Sequence, residues 1–368
     1  MFFAMSLGDA LAEVLALQKN YTHVAKNPSM RRRKQLVERD IPELIVGPLQ
    51  PVFPGWSASG SSGMGSAAEV PWSRYHDPSR SPAPTRGWYA VYLFTASGDA
   101  VYLSLNQGTS TWDVGRQDFV FRPKGQLAKR VSWARSVLTA SGSGPVHFSD
   151  IDLGAKQALG KIYQAGNVHG IRYEAGAIPS DDQLHADVVR IARQLDRLYD
   201  EEDQTIYIPG DEAPEVLDAE LAAEQSASNA RRVGKTRGGQ GFRLNQDEKK
   251  AIELHAVELA TKHFVDQGFK VKDTGATESY DLLATKGDET IFVEVKGTAS
   301  LGEQIIVTRA EVEHHRRHPN NALVVVHSIR LSRETGTPVA SGGQVVVRQP
   351  WEIDDAALTV VSYRCKLV

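Results

Sequence analysis

Residues 279–298 constrain the fold more than any other stretch of this chain. They read Ser279-Tyr280-Asp281-Leu282-Leu283, a turn at Lys286-Gly287-Asp288, then Ile291-Phe292-Val293-Glu294-Val295-Lys296-Gly297-Thr298. Two short apolar runs around a Gly-containing turn predict a β-hairpin. Side chains alternate across a strand, so Glu294 and Lys296 share one face while Val293 and Val295 share the other. Asp281, at the start of the first strand, can reach the Glu294 face. Two carboxylates and an ammonium at one sheet edge suit metal-assisted phosphodiester hydrolysis. Carboxylates hold a hard cation such as Mg²⁺, with Mn²⁺ as a substitute. The cation activates water and neutralises phosphate charge, and the Lys positions or activates that water. A solvated hairpin gives the same pattern, so the neighbouring elements decide its weight.

A helix is expected ahead of the hairpin, from about Asn245 to Gly268, with Asn245 as N-cap and Glu248 at the capping-box position. Ile252, Ala256, Val257, Leu259, Ala260 and Phe264 form one apolar stripe at helical spacing. Glu253 falls within that stripe, whereas Glu258 lies nearly opposite. A carboxylate on a buried face is costly unless paired or metal-bound, which makes Glu253 the candidate third acid. The competing reading places it at the stripe edge, in solvent. After the hairpin come Gln304-Ile305-Ile306-Val307, a capping box at Thr308 and Glu311 that opens a basic helix, and the apolar run Asn321 to His327.

The D-x(12)-E-x-K spacing and the order helix, strand, strand, strand, helix, strand resemble the PD-(D/E)XK nuclease superfamily. Ala251-Ile252-Glu253-Leu254-His255-Ala256, Ser279-Tyr280-Asp281-Leu282, Val293 to Thr298 and Thr308-Arg309-Ala310-Glu311-Val312 look more closely like the NO VEIN C-terminal domain family. The resemblance covers about residues 240–335. It implies a restriction-endonuclease-like αβββαβ core. It also implies Asp281 and Glu294 as Mg²⁺ ligands aided by the Val295 carbonyl, Glu253 as a helix acid and Lys296 on the attacking water. Thr308 and Glu311 would orient DNA or the site. Members that only bind would have the same fold without cleavage.

A chain of 368 residues with 41% hydrophobic and 24% charged residues fits two soluble domains. A single cysteine, Cys365, excludes an internal disulfide framework and fits a reducing cytoplasm. Neither a membrane-spanning run nor a signal peptide is evident in the sequence. The net charge of −3 is unevenly spread. Residues 1–200 hold 22 Lys and Arg against 18 Asp and Glu, residues 201–230 none against nine, and residues 231–368 20 against 18. The excess acid therefore sits in an expected linker, 201–242, between domains at 1–200 and 243–368. The linker ends in a Gly-rich run with Arg231, Arg232, Lys235 and Arg237, which can follow a phosphate backbone or serve as a solvated hinge. Gly234-Lys235-Thr236 mimics the end of a P-loop. Asn229 stands where Gly is required and no apolar strand precedes it, so no nucleotide is expected there.

The N-terminal region begins with an amphipathic helix, about Leu7 to Lys19, with Leu7, Leu11, Val14 and Leu15 on one face. Arg31-Arg32-Arg33-Lys34 and a Gly/Ser-rich loop, Ser57 to Ser66, precede Val70-Pro71-Trp72. A second hairpin follows: Gly87-Trp88-Tyr89-Ala90-Val91-Tyr92-Leu93-Phe94, a turn at Ser97-Gly98-Asp99, then Ala100 to Leu105. A basic cluster, Arg116, Arg122, Lys124, Lys129 and Arg130, alternates with Phe119 and Phe121 and is a candidate backbone grip. Leu184, Val188, Ile191, Leu195 and Leu198 mark a closing helix from Asp181 to Tyr199. Tyr89, Val91 and Leu93 share a strand face, on which aromatics serve equally as core.

Val70-Pro71-Trp72, Gly87 to Leu93 and Ala100 to Gly108 look like the N-terminal DNA-binding domain of McrB-type restriction proteins, over about residues 5–200. Such domains flip a methylated cytosine into an aromatic-lined pocket. The resemblance assigns that pocket to Trp72, Tyr89 and Leu93, within a mixed α/β domain built on a central antiparallel sheet. Stacking and edge hydrogen bonds offset the cost of flipping. McrB-type proteins place a GTP-driven motor after the reader and take their nuclease from a partner; here a nuclease-like segment follows directly. The expectation is a cytoplasmic, modification-dependent endonuclease acting on double-stranded DNA that carries 5-methylcytosine or 5-hydroxymethylcytosine. It would use Mg²⁺ and no nucleotide, and cut both strands as a homodimer. The alternatives are a non-cleaving DNA-binding protein and a protein-interaction adaptor.

Overall fold

The computed structural model describes residues 5–113, 118–216, 218–219, 244–275, 277–333 and 336–361, with backbone alone at 111–113, 118 and 119. Two compact units divide the chain at Gln204 and Thr205.

The first unit is built on a five-stranded antiparallel sheet. Its strands are β1 (Ser57–Ser61), β2 (Trp72–His76), β3 (Trp88–Phe94), β4 (Ala100–Gln107) and β7 (His169–Glu174), in that spatial order. A two-stranded ribbon, β5 (Ser110–Asp113) and β6 (Asp118–Phe121), stands apart. Strand β1 occupies the first half of the expected Gly/Ser loop. Gly60 permits this, since a Cβ there would lie 1.9 Å from the Val37 carbonyl oxygen.

Every residue of β3 and β4 is buried, because both faces of the hairpin are covered. Trp88, Ala90, Tyr92 and Phe94 enter the larger core with residues of α1 (Leu7–Gln18), α3 (Ile41–Leu49), α4 (Lys124–Ala140) and α6 (Asp181–Gln204). The expected α1 and α6 stripes are buried as read. Tyr89, Val91 and Leu93 face a smaller cluster with Val70, Ile151 and Leu153. Short helices α2 (Pro28–Gln35) and α5 (Ala158–Ala165) complete the unit. Arg33, from the basic run in α2, is fully buried and donates to the Gln18 side chain and to the Ala68 carbonyl at 3.0 Å.

In the second unit, α7 (Gln246–Asp266) starts at the expected capping box, with Asn245 and Glu248 each accepting from the other's backbone N–H. A meander follows: β8 (Lys270–Asp273), β9 (Leu282–Lys286) and β10 (Glu289–Gly297). Helix α8 (Arg309–Arg317) then leads to β11 (Asn321–Ser332), parallel to β10, and β12 (Val339–Arg348) closes the sheet antiparallel to β11. The helix–three strands–helix–strand order is present, with β8 as its first strand. The apolar run Gln304 to Val307 is coil. Ile305 and Val307 instead pack on a cluster of Leu323, Val325 and Trp351. Helix α7 covers the other face, where Ile252, Ala256, Ala260 and Phe264 join Val293, Val324 and Val326. Gly297 lets α7 approach closely: a Cβ would lie 2.7 Å from that of Ala256 and 2.9 Å from the Ile252 carbonyl.

Candidate functional site

Asp281, Glu294 and Lys296 converge at one end of the second sheet, beside a cavity of about 350 Å³. Asp281 lies just before β9. Its N–H donates to the Val293 carbonyl at 3.0 Å, and its Oδ2 accepts from the Val295 N–H at 2.7 Å. The hairpin backbone therefore aims this carboxylate. Burial, then the neighbouring Glu294 charge, push the Asp281 carboxyl up to about 6, against the pull of the Val295 N–H and Lys296.

Glu294 points away from α7 and is 1% exposed. Its Oε1 lies 2.6 Å from Lys296 Nζ, and its Oε2 is buried with no hydrogen-bond partner. Lys296 Nζ also donates to Glu311 Oε2 at 3.0 Å. Burial alone would lower the Lys296 pKa, but the Glu294 and Glu311 charges outweigh it and hold the ammonium above its ordinary value. Lys296 is thus a fixed cation: it can position a water or a phosphate oxygen, and it is not set up to take a proton. Glu311 serves twice, because its Oε2 also accepts the Thr308 N–H at 2.9 Å as the capping-box acid of α8. Thr308 itself acts as the N-cap.

The burial expected of Glu253 is corrected. This residue is exposed on α7 instead of buried in the stripe, although it does line the cavity. One residue further round the helix from Ile252 is enough to reach solvent. The wall contains a carboxylate that the sequence pattern did not single out, Glu215, from the stretch expected to be linker. Burial raises the Glu215 pKa, with Thr298 opposing the shift. Nearby, Asp218 pairs with Lys249 Nζ at 2.7 Å, while Ala213 and Val216 are buried. Its surroundings are acidic and Ala-rich, so only the packing of Ala213 and Val216 marks it.

Among the described residues, no three or more His, Cys, Asp or Glu side chains converge as a protein-only metal cage. Mg²⁺ does not need one, since it usually keeps several waters and takes one or two carboxylates. Asp281 and Glu294 fit that requirement: they are mutually repelling, and one buried carboxylate oxygen is unpartnered.

In the first unit, Trp72, Tyr89 and Leu93 do come together. Trp72 is the register partner of Leu93 across β2 and β3, and Tyr89 lies on the same face. They form packed core here, not an open slot. Tyr89 is 5% and Leu93 2% exposed, under Ile151 and Leu153, and the Tyr89 hydroxyl donates to the Gln107 carbonyl at 2.8 Å. Trp72 keeps partial exposure and packs on the same cluster as Tyr163.

Of the expected backbone contacts, Lys124 is exposed and Arg122 half-buried. Arg130 is corrected to a structural role: it is buried, donates to Gln107 Oε1 at 2.7 Å and lies 4.7 Å over the Trp88 ring. Arg116, Arg231, Arg232, Lys235 and Arg237 lie outside the described residues.

Comparison with known families agrees with both halves. Residues 16–200, just over half of the chain, match the MrcB-like N-terminal domain. The chain belongs to the MrcB-like N-terminal domain family. Residues 252–335 match the C-terminal domain of Protein NO VEIN. No curated protein matches the chain. The MrcB-like match covers the whole first sheet, and the NO VEIN match contains Asp281, Glu294, Lys296 and Glu311. Glu215 falls in neither. The pairing of the two domains is that of a DNA-related, restriction-like protein. No helix among the described residues is long and apolar enough to cross a membrane.

Proposed function

We propose that this protein is a modification-dependent endonuclease: the MrcB-like domain reads a modified cytosine in duplex DNA, and the C-terminal domain hydrolyses a nearby phosphodiester with Mg²⁺. The observation that carries this reading is the meeting of Asp281 and Lys296 in one cavity wall, with Glu294 buried against Lys296 at 2.6 Å and its charge felt by Asp281. Asp281 and Glu294 would hold the metal, with the Val295 carbonyl in support. The bound ion would supply Lewis acidity and an activated water. Lys296, held charged by Glu294 and Glu311, would place that water or steady a phosphate oxygen. One such site cuts one strand, so a double-strand break needs a second copy or two successive nicks.

A second reading has its own support. Lys296 already neutralises Glu294, and Tyr89 and Leu93 are covered, which is what a DNA-binding protein that does not cut would show.

The deciding experiment offers matched duplexes carrying cytosine, 5-methylcytosine or 5-hydroxymethylcytosine, with Mg²⁺ or Mn²⁺. Cutting of a modified duplex alone is expected. Equal cutting of all three removes the reader assignment, and binding without cutting under either metal favours the second reading.

A further inference from the structure

Helix α8 brings a second side chain to the Glu294–Lys296 pair. His315 lies four residues after Glu311, which places both on one face of the helix. Its side chain is fully buried, and neither ring nitrogen has a hydrogen-bond partner. The ring is fixed in place, 5.1 Å from that of Trp351 and 5.4 Å from that of His314. Its Nε2 lies 3.5 Å from Glu294 Oε2, itself a buried atom without a hydrogen-bond partner. Each unmet group carries a desolvation cost, and a small closing movement removes those of Nε2 and Oε2 at once. Active-site hydrogen bonds of this kind are commonly long before ligands bind and tighten afterwards.

We propose that His315 is a positioning residue for this cavity: its Nε2–H donates to Glu294 Oε2, so that α8 holds the Glu-x-Lys pair at both ends, His315 on Glu294 and Glu311 on Lys296. The inference rests on the nuclease reading and extends it to α8. A ligand carboxylate with one oxygen on Lys296 and the other on His315 has no freedom to rotate. Partners that orient a ligand in this way typically change metal affinity or activity by about 10–100-fold when removed.

The test uses the full chain. His315→Phe keeps the ring volume and removes the donor, while His315→Gln keeps an N–H donor. Mn²⁺ affinity, measured by titration calorimetry, and kcat and KM for cleavage are compared with wild type, alongside the imidazole ¹⁵N shifts of the wild-type protein. The role predicts an Nε2–H tautomer whose signal moves in Glu294→Gln. It predicts about tenfold weaker Mn²⁺ binding and a similar loss of kcat in His315→Phe with KM for DNA unchanged, and substantial recovery in His315→Gln. An Nδ1–H tautomer overturns it, as do equal losses in the two variants, which mark a packing role. If wild type cuts and His315→Phe matches it in Mn²⁺ affinity and kcat, the positioning role alone falls. If wild type neither binds Mn²⁺ nor cuts, the nuclease reading falls and takes this role with it.

Discussion

The aromatic trio of the first sheet and the charged trio of the second are built alike and end differently. Each lies on a β-hairpin with one partner from an adjoining strand or turn. Trp72, Tyr89 and Leu93 are packed by their own chain: apolar neighbours cover Tyr89 and Leu93, and the Tyr89 hydroxyl has its partner. Asp281, Glu294 and Lys296 are charged instead. A carboxyl is pushed up to about 6, a buried carboxylate oxygen is orphaned, and a cation is clamped between two acids. Burial of apolar surface is favourable in itself and says nothing about a ligand. Burial of charge is costly, and a fold that keeps such a cost points to a missing partner.

That contrast breaks most directly at Asp281. Asp281→Ala should lower metal-dependent cleavage by at least about a hundredfold, since the metal supplies several kcal/mol of charge stabilisation. Duplex binding should persist in a filter or anisotropy assay. Cleavage within a few-fold of wild type would remove the charged trio from the chemistry.

The aromatic trio should respond in stability first. Leu93→Ala is expected to cost about 2–5 kcal/mol in denaturant unfolding of the first unit, the usual price of a truncated core leucine. Trp72→Ala, at a partly exposed position, should cost less and should instead erase discrimination between modified and unmodified duplexes. A Trp72 variant that still discriminates would mark the trio as core alone.

The first unit also contains buried histidines that sharpen the contrast with pH. Burial, then Arg190 and Arg135, lower the His169 pKa to about 4, and burial, then Arg74, lowers that of His76 to about 3. Both imidazoles stay neutral in the fold, whereas the unfolded chain protonates them below about 6.5. Their contribution is therefore whole above that pH and is lost progressively as pH falls toward 4 for His169 and 3 for His76, by about 3 kcal/mol for His169 and about 5 kcal/mol for His76. Unfolding titrations from pH 7 to 4 should show this slope, and His169→Gln should flatten it.

The smallest effect is expected at the cap of α7, which forms one cavity wall. Asn245→Ala should cost about 1 kcal/mol, seen as a lowered Tm with kcat retained. A large loss of kcat would show that the wall itself sets the site geometry.

Much of this was legible from residue order. Capping boxes at Asn245 and Thr308, the α1 and α6 stripes and both hairpins are local patterns, and local patterns survive folding because hydrogen bonding and amphipathicity act within a few residues. The Asp281, Glu294 and Lys296 grouping was legible too, since hairpin pairing and strand alternation bring them together. The burial of Glu253 was misread because a helical stripe has a soft edge. Gln304 to Val307 shows that an apolar run can fill a core as coil.

Residue order alone thus marks the capped helices, the two hairpins and the members of the charged trio. It does not settle which charges are buried or what faces them. Glu215 in the cavity wall, Glu311 on Lys296 and His315 opposite Glu294 are meetings of distant segments. They are set by how α8 and the acidic stretch pack on the sheet, and desolvation at those contacts, absent from any local pattern, is what sets the electrostatics of the site.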